Sequence, residues 1–193
     1  MSLQDQISAC RLCADRFAKT KTAHAPRPVP WFRASARILI AGQAPGMRVH
    51  QSGKPFDDRS GERLRDWLGM SPAQFYDRDH VAVVPAAFCF PGYSSSGADL
   101  PPPKICAQTW QAPVQDALPH IELRIVIGGY AHKNLLGVQS NVTETVRNWR
   151  HFAPKTFVLP HPSWRNTGWI KKHPWFAQEL LPELRQCVAA LRQ

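Results

Sequence analysis

In "LPHPSWRN" (159–166), His161 follows an apolar run and stands between Pro160 and Pro162. Two prolines fix the backbone around it, so the imidazole is aimed before any ligand arrives. "GQAPG" (42–46) also follows an apolar run. Its Gly42 and Gly46 let main chain approach a ligand closely around Gln43, Ala44 and Pro45. Downstream, "SGKPF" supplies Phe56, a flat apolar ring on which a planar ligand could stack. Four cysteines form a second constellation. Cys10 and Cys13 make C-x2-C, and Cys89 and Cys106 bracket sixteen residues. Two such thiolate pairs can close a tetrahedral zinc site or hold an iron–sulfur cluster. The fifth, Cys187, lies on the apolar stripe of the last segment and reads as a core residue.

These residues need elements to position them. "RILIAG" (37–42), "HVAVV" (80–84), "RIVIGG" (124–129) and "TFVLP" (156–160) are short apolar runs that read as buried strands. Between them, "GERLRDWLGM" fits a helix stopping near Gly69, and 104 to about 118 fits one with Cys106 in its first turns. "YAHKNLLG" fits a third helix, capped by Gly137. Residues 1–20 suggest a short helix carrying "CRLC", "HAPRPVPWF" an extended connector, and "PGYSSSGADLPPP" (91–103) a surface loop. Near the end, Phe176, Leu180, Leu184, Val188 and Leu191 follow a helical stripe that Pro182 should kink or split. Strands alternating with helices imply an α/β fold, a three-layer α/β/α sandwich around a central, mostly parallel four-stranded sheet. Ligands bind at the carboxyl ends of such strands, which is where "GQAPG", "PAAFC" and "HPSWRN" fall.

At 193 residues the chain suits a single domain, 1–193, with the cysteine-bearing segment 1–35 packed on it. No apolar run approaches membrane-spanning length and the polar N-terminus lacks a signal-peptide pattern, so a cytoplasmic protein without a membrane partner is expected. An odd cysteine count fits that setting better than a disulfide framework does. Net charge is +10, and it sits at the ends. Residues 1–40 carry seven Lys/Arg against two acids, and 145–193 carry eight against two. Should the ends meet, they would offer phosphates a basic face.

"ILIAGQAPG" with "SGKPF" downstream, the paired cysteines and the strand-terminal "HPS" together resemble the uracil-DNA glycosylase superfamily. Within it the chain is most similar to the iron–sulfur-containing branch often called family 4. The resemblance implies that main chain at Gly42, Gln43, Ala44, Pro45 and Gly46 contacts a flipped base and that Phe56 stacks on it. It implies that His161 stabilises the departing base anion. Ser163, Trp164 and Arg165 would lie on the loop that enters the minor groove, and Lys171 and Lys172 would extend a phosphate-facing surface. Cys10, Cys13, Cys89 and Cys106 would hold a [4Fe-4S] cluster, zinc being the alternative cofactor.

Several residues depart from that pattern. Gln43 stands at the motif glutamate, Val49 and His50 at an acidic pair, and Pro85 at a base-reading asparagine. "PFDD" replaces "PFVG", placing Asp57 and Asp58 near the pocket. The expected function is a monomeric DNA-repair glycosylase that flips uracil or a related deaminated base and hydrolyses its N-glycosidic bond. Water would enter near His50 or Asp57. The alternative is a catalytically weak or inactive DNA-binding protein that keeps the fold.

Overall fold

The β-branched runs form strands because their side chains are buried on both faces of a sheet. A computed structural model describes residues 1–192. Its sheet has the order β2-β1-β3-β4, with β1 Ile38–Ala41, β2 Val81–Val83, β3 Leu123–Ile127 and β4 Thr156–Leu159. All three pairings are parallel, in registers that set Ile40 beside Val83 and Ile125, and Ile127 beside Leu159. Parallel pairing puts every strand's carboxyl end on one edge. The loops after β1, β2 and β4 therefore leave from the same side.

Helices cover both faces. The N-terminal pair is α1 (Leu3–Ser8) and α2 (Ala14–Ala18), with Cys10 and Cys13 in the turn between them. After β1 come α3 (Met47–Ser52), α4 (Arg59–Leu68) and α5 (Pro72–Phe75). Next are α6 (Lys104–Asp116), α7 (Gly128–Leu136), α8 (Val142–Arg147), α9 (Thr167–Lys172) and α10 (Leu181–Ala190). Gly69 and Gly137 end α4 and α7 in left-handed conformation, as their positions predict.

The larger core joins Ile38, Ile40, Ile125 and Phe157 to Leu64 and Trp67 of α4 and Leu184 and Val188 of α10. On the other face Ile7 of α1 packs with Phe32, Ala82, Phe88 and Val114. Pro182 splits its helix: Phe176–Leu180 forms a π-helical turn, in which Leu181 N–H reaches back to the Phe176 carbonyl, and α10 follows. Proline offers no N–H to the preceding turn, so the ladder widens there. Cys187 is half-buried against the larger core, far in kind from the other four cysteines. Among the described residues, no helix is long and apolar enough to cross a membrane.

Candidate active site

The site starts at the edge where β1 and β2 run out. Their pairing continues past the strands, with Val84 N–H bonded to the Ile40 carbonyl (2.9 Å) and Ala86 N–H to the Gly42 carbonyl (3.0 Å). Ala87 N–H then bonds the Gln43 carbonyl (3.2 Å). "GQAPG" and "PAAFC" are thus laced together along the cleft floor. Pro45 is buried and the other four residues of the loop are half-exposed.

Phe56 is held in an uncommon state. Its φ is +53°, a left-handed conformation that a bulky residue adopts only when its surroundings impose it. Three groups impose it here. The Tyr76 hydroxyl donates to the Phe56 carbonyl (3.1 Å), and Arg65 donates to that carbonyl (3.3 Å) and to the Tyr76 oxygen (3.2 Å). Gly61, in the first turn of α4, is buried against the same carbonyl, and any Cβ there would collide with it. The Phe56 ring meets Phe75 edge-on at 6.0 Å and stays half-exposed. Asp58 caps α4 by accepting from Gly61 N–H (2.9 Å).

Arg63 of α4 connects this platform to the histidine loop. It donates to the Ser163 carbonyl (2.8 Å) and to the Thr167 hydroxyl (3.1 Å). Pro160 and Pro162 are buried on either side of His161, and Asn166 donates to the His161 carbonyl (2.7 Å). Ser163 N–H points at His161 Nδ1 (3.2 Å). With Nδ1 accepting, the neutral ring carries its proton on Nε2. The ring is reachable from the cleft, yet protein surrounds it closely enough that desolvation lowers its pKa. The charges of Asp58 and Asp99 pull the other way. His161 also lines a cavity of ≈ 510 Å³ with Gly128, Gly129, Asn141, Thr143 and Trp169, and Phe56 is not among its walls.

The rim is different in kind. Trp164 is 72% exposed, with the Arg165 guanidinium 6.0 Å from its ring. Lys171 and Lys172 close α9 on open surface.

The four paired cysteines come together from three chain segments. Cys106 Sγ accepts from Phe88 N–H (3.4 Å). Burial pushes the Cys89 thiol up to about 12 and the Cys106 thiol up to about 11. Both are raised further by Cys10 and Cys13, and Cys89 also by Cys106. Among the described residues, no three His, Cys, Asp or Glu side chains close tightly around a single point.

A family model described as the uracil DNA glycosylase superfamily matches residues 29–185. The chain belongs to that superfamily. The match spans all four strands, the Phe56 platform and the His161 loop, and it begins after Cys10 and Cys13. The superfamily's α/β fold is the architecture that the alternation of strands and helices implied.

Not all the sequence-derived candidates of this glycosylase-superfamily chain meet at one point. Phe56 and His161 are tied through Asp58 and Arg63. His50 is half-buried, with its ring 5.0 Å from His24 and 5.9 Å from Phe90. Its pKa is lowered by desolvation and then by His24 and Arg27, and its Nδ1 is buried without a partner. Asp57 lies where its charge acts on Tyr76. Gly61, Arg63, Arg65, Tyr76 and Asp99 carry no local motif that marks them. The one signal that could have found any of them is the glycine after "PFDDRS", since a residue without a Cβ admits close backbone contact.

Proposed function

We propose that the protein is a DNA glycosylase that draws a deaminated base, uracil or a relative, out of the stack and hydrolyses its N-glycosidic bond. The observation that carries this reading is the state of His161. Its Nδ1 is engaged by Ser163 N–H, its pKa is lowered, and its Nε2–H is therefore available as a neutral donor. A departing pyrimidine or purine takes the electrons of the breaking bond onto its ring oxygens and nitrogens. A fixed donor there stabilises the transition state more than the ground state. Phe56, pinned in place, offers the extruded base a ring to stack on, and the laced "GQAPG" loop offers main-chain groups beside it.

Outside the pocket, Trp164 is the exposed aromatic wedge that can fill the gap left by the base. Ser163, Arg165, Lys171 and Lys172 supply donors and charge for the phosphates on either side. DNA is the partner, and a single copy of the chain carries the whole pocket.

Cys10, Cys13, Cys89 and Cys106 fit a [4Fe-4S] cluster. A single tetrahedral zinc ion, with bonds of about 2.3 Å, draws four sulfurs to within ~4 Å of one another. In a cubane each thiolate binds a different iron, and Cys10, Cys13, Cys89 and Cys106 are placed so that their charges act on one another. When bound, such a cluster cross-links the α1–α2 turn to the segment after β2. Zinc remains the competing cofactor, and visible absorbance of anaerobically purified protein separates the two.

The experiment offers duplexes with one uracil, hypoxanthine or xanthine and then cleaves abasic sites with alkali. Strand scission from at least one duplex is expected. Salt-sensitive binding with no scission at stoichiometric protein would favour a DNA-binding protein that has kept the fold.

A further inference from the structure

Phe56 and His161 stand on separate loops, and one helix reaches both. α4 leaves the Phe56 segment at its Asp58 cap, and its first turn sets Gly61 directly against the Phe56 carbonyl. The helix is anchored independently of the cleft. Leu64 and Leu68 are fully buried in the larger core, and Trp67 nearly so. At the far end, Arg185 of α10 donates to the Asp66 carbonyl (2.9 Å) and to the Trp67 carbonyl (3.3 Å). Arg192 donates to the Gly69 carbonyl (3.3 Å). These carbonyls lie where the regular helical ladder runs out, so the helix end is fixed as well as capped. Adjacent helical residues point about 100° apart. Arg63 and Arg65 therefore emerge on either flank of buried Leu64, both half-buried.

Each arginine holds one loop. Arg65 and Tyr76 converge on the Phe56 carbonyl, and Arg65 also donates to Tyr76 Oη. The Tyr76 ring is itself clamped, with Lys54 Nζ 3.9 Å from its centre and Phe75 edge-on at 5.1 Å. Desolvation raises the Tyr76 pKa, so the hydroxyl keeps the proton it donates. Arg63 grips Ser163 from the carbonyl side, while Ser163 N–H engages His161 Nδ1. The same carbonyl accepts Asn166 N–H (3.1 Å), and Arg63 also reaches Thr167, so both ends of the turn bearing Trp164 are tied down. We infer that α4 is the positioning strut of the site, with Arg65 setting the stacking ring and Arg63 setting the histidine donor through two separately breakable contacts. This inference rests on the glycosylase reading. Both arginines act through main-chain carbonyls, which makes them positioning residues and not catalytic ones. A charged donor makes the stronger hydrogen bond, and a side chain on an anchored helix holds its geometry better than one on a loop. Phe56 at φ +53° shows that hold, since a bulky residue stays there only while its surroundings outweigh the strain.

The test compares wild type with Arg63→Met, Arg65→Met and Tyr76→Phe, and with Arg63→Lys and Arg65→Lys as conservative partners. Single-turnover base release is measured at saturating protein on whichever of the three duplexes the wild type cleaves. Two further readouts need no bond cleavage. One is the fluorescence of a 2-aminopurine beside the target nucleotide, which rises as the neighbouring base leaves the stack. The other is the imidazole nitrogen NMR signals of His161 in the free protein. Arg63→Met is expected to slow release by about 10- to 100-fold, because a small misplacement of the histidine suffices for that. Its His161 signals should move from the Nε2–H form toward a mixture of tautomers, while the fluorescence rise is kept. Arg65→Met and Tyr76→Phe should keep the His161 signals and lose much of the fluorescence rise, with release slowed about tenfold as stacking is lost. Each lysine variant should recover part of its loss. A release rate within threefold of wild type in Arg63→Met, or in both Arg65→Met and Tyr76→Phe, overturns the assignment and leaves the glycosylase reading intact. Losses that track a lowered melting midpoint, with both readouts moving together in every variant, also overturn it, since α4 would then only support the fold. A wild type that releases none of the three bases overturns both.

Discussion

The floor of the cleft and its rim are built on opposite principles. At the floor, Phe56 is gripped by Tyr76, Arg65 and Gly61, and His161 by two buried prolines, Ser163 N–H and Asn166. At the rim, Trp164 stands in solvent, with Lys171 and Lys172 exposed nearby. Groups that meet developing charge must be aimed in advance, because reorganisation during reaction costs rate. Groups that meet a phosphate backbone need only charge and reach.

Substitutions at the two places should therefore fail differently. The largest effect is expected for His161→Ala, with single-turnover base release falling about 10²–10³-fold while duplex affinity is nearly unchanged. If affinity falls as steeply as rate, floor and rim are not separable. Gly61→Ala should act on the fold first. The new methyl group meets the Phe56 carbonyl, and overpacking of this kind costs typically 1–3 kcal/mol, readable as a lower denaturation midpoint. Trp164→Ala should reverse that pattern, leaving the midpoint unchanged and weakening duplex binding by about 10- to 100-fold. A thermal shift in that variant would mean that the wedge also supports the fold. Replacing Lys171 and Lys172 with glutamine should lower the salt slope of log K by about one unit for each phosphate that is no longer neutralised.

A smaller effect concerns pH. His132 is buried, 1% exposed, with its Nε2 facing the Val126 carbonyl at 3.0 Å. Desolvation lowers its pKa, as it does for His50 and His161. A histidine kept neutral in the fold takes up protons more readily once unfolded. Stability should then be full above the ordinary value near ~6.5 and decline as pH falls below it. Melting midpoints at pH 7.5 and 5.5 measure the decline, and His132→Asn should shrink it. An unchanged slope would assign the effect to the other two histidines.

The strands were readable because each is a short run of β-branched residues bounded by polar or glycine positions. β1 and β4 fall within their expected boundaries, and the ends of α4 and α7 follow from Gly69 and Gly137. Pro182 announced a break, but not that the preceding turn would widen to a π-helix. The helix expected to carry "CRLC" is instead two helices with the cysteines between them. α3, α5 and α8 span only four to six residues each, too few to display a periodic stripe. The loop 91–103 reads by composition as surface, and its tip is indeed exposed. Composition says nothing about where a surface loop travels.

By itself, the sequence determined which residue types stand at strand ends. Strand placement is local, and an imidazole between prolines or a glycine-rich turn can be recognised without knowing its neighbours. Only the tertiary structure decided which of them face one another. Packing set Tyr76 and Arg65 on the Phe56 carbonyl and Arg63 on the Ser163 carbonyl. Those pairings join residues distant along the chain, and they exist only because packing the sheet and its helices brings them within reach.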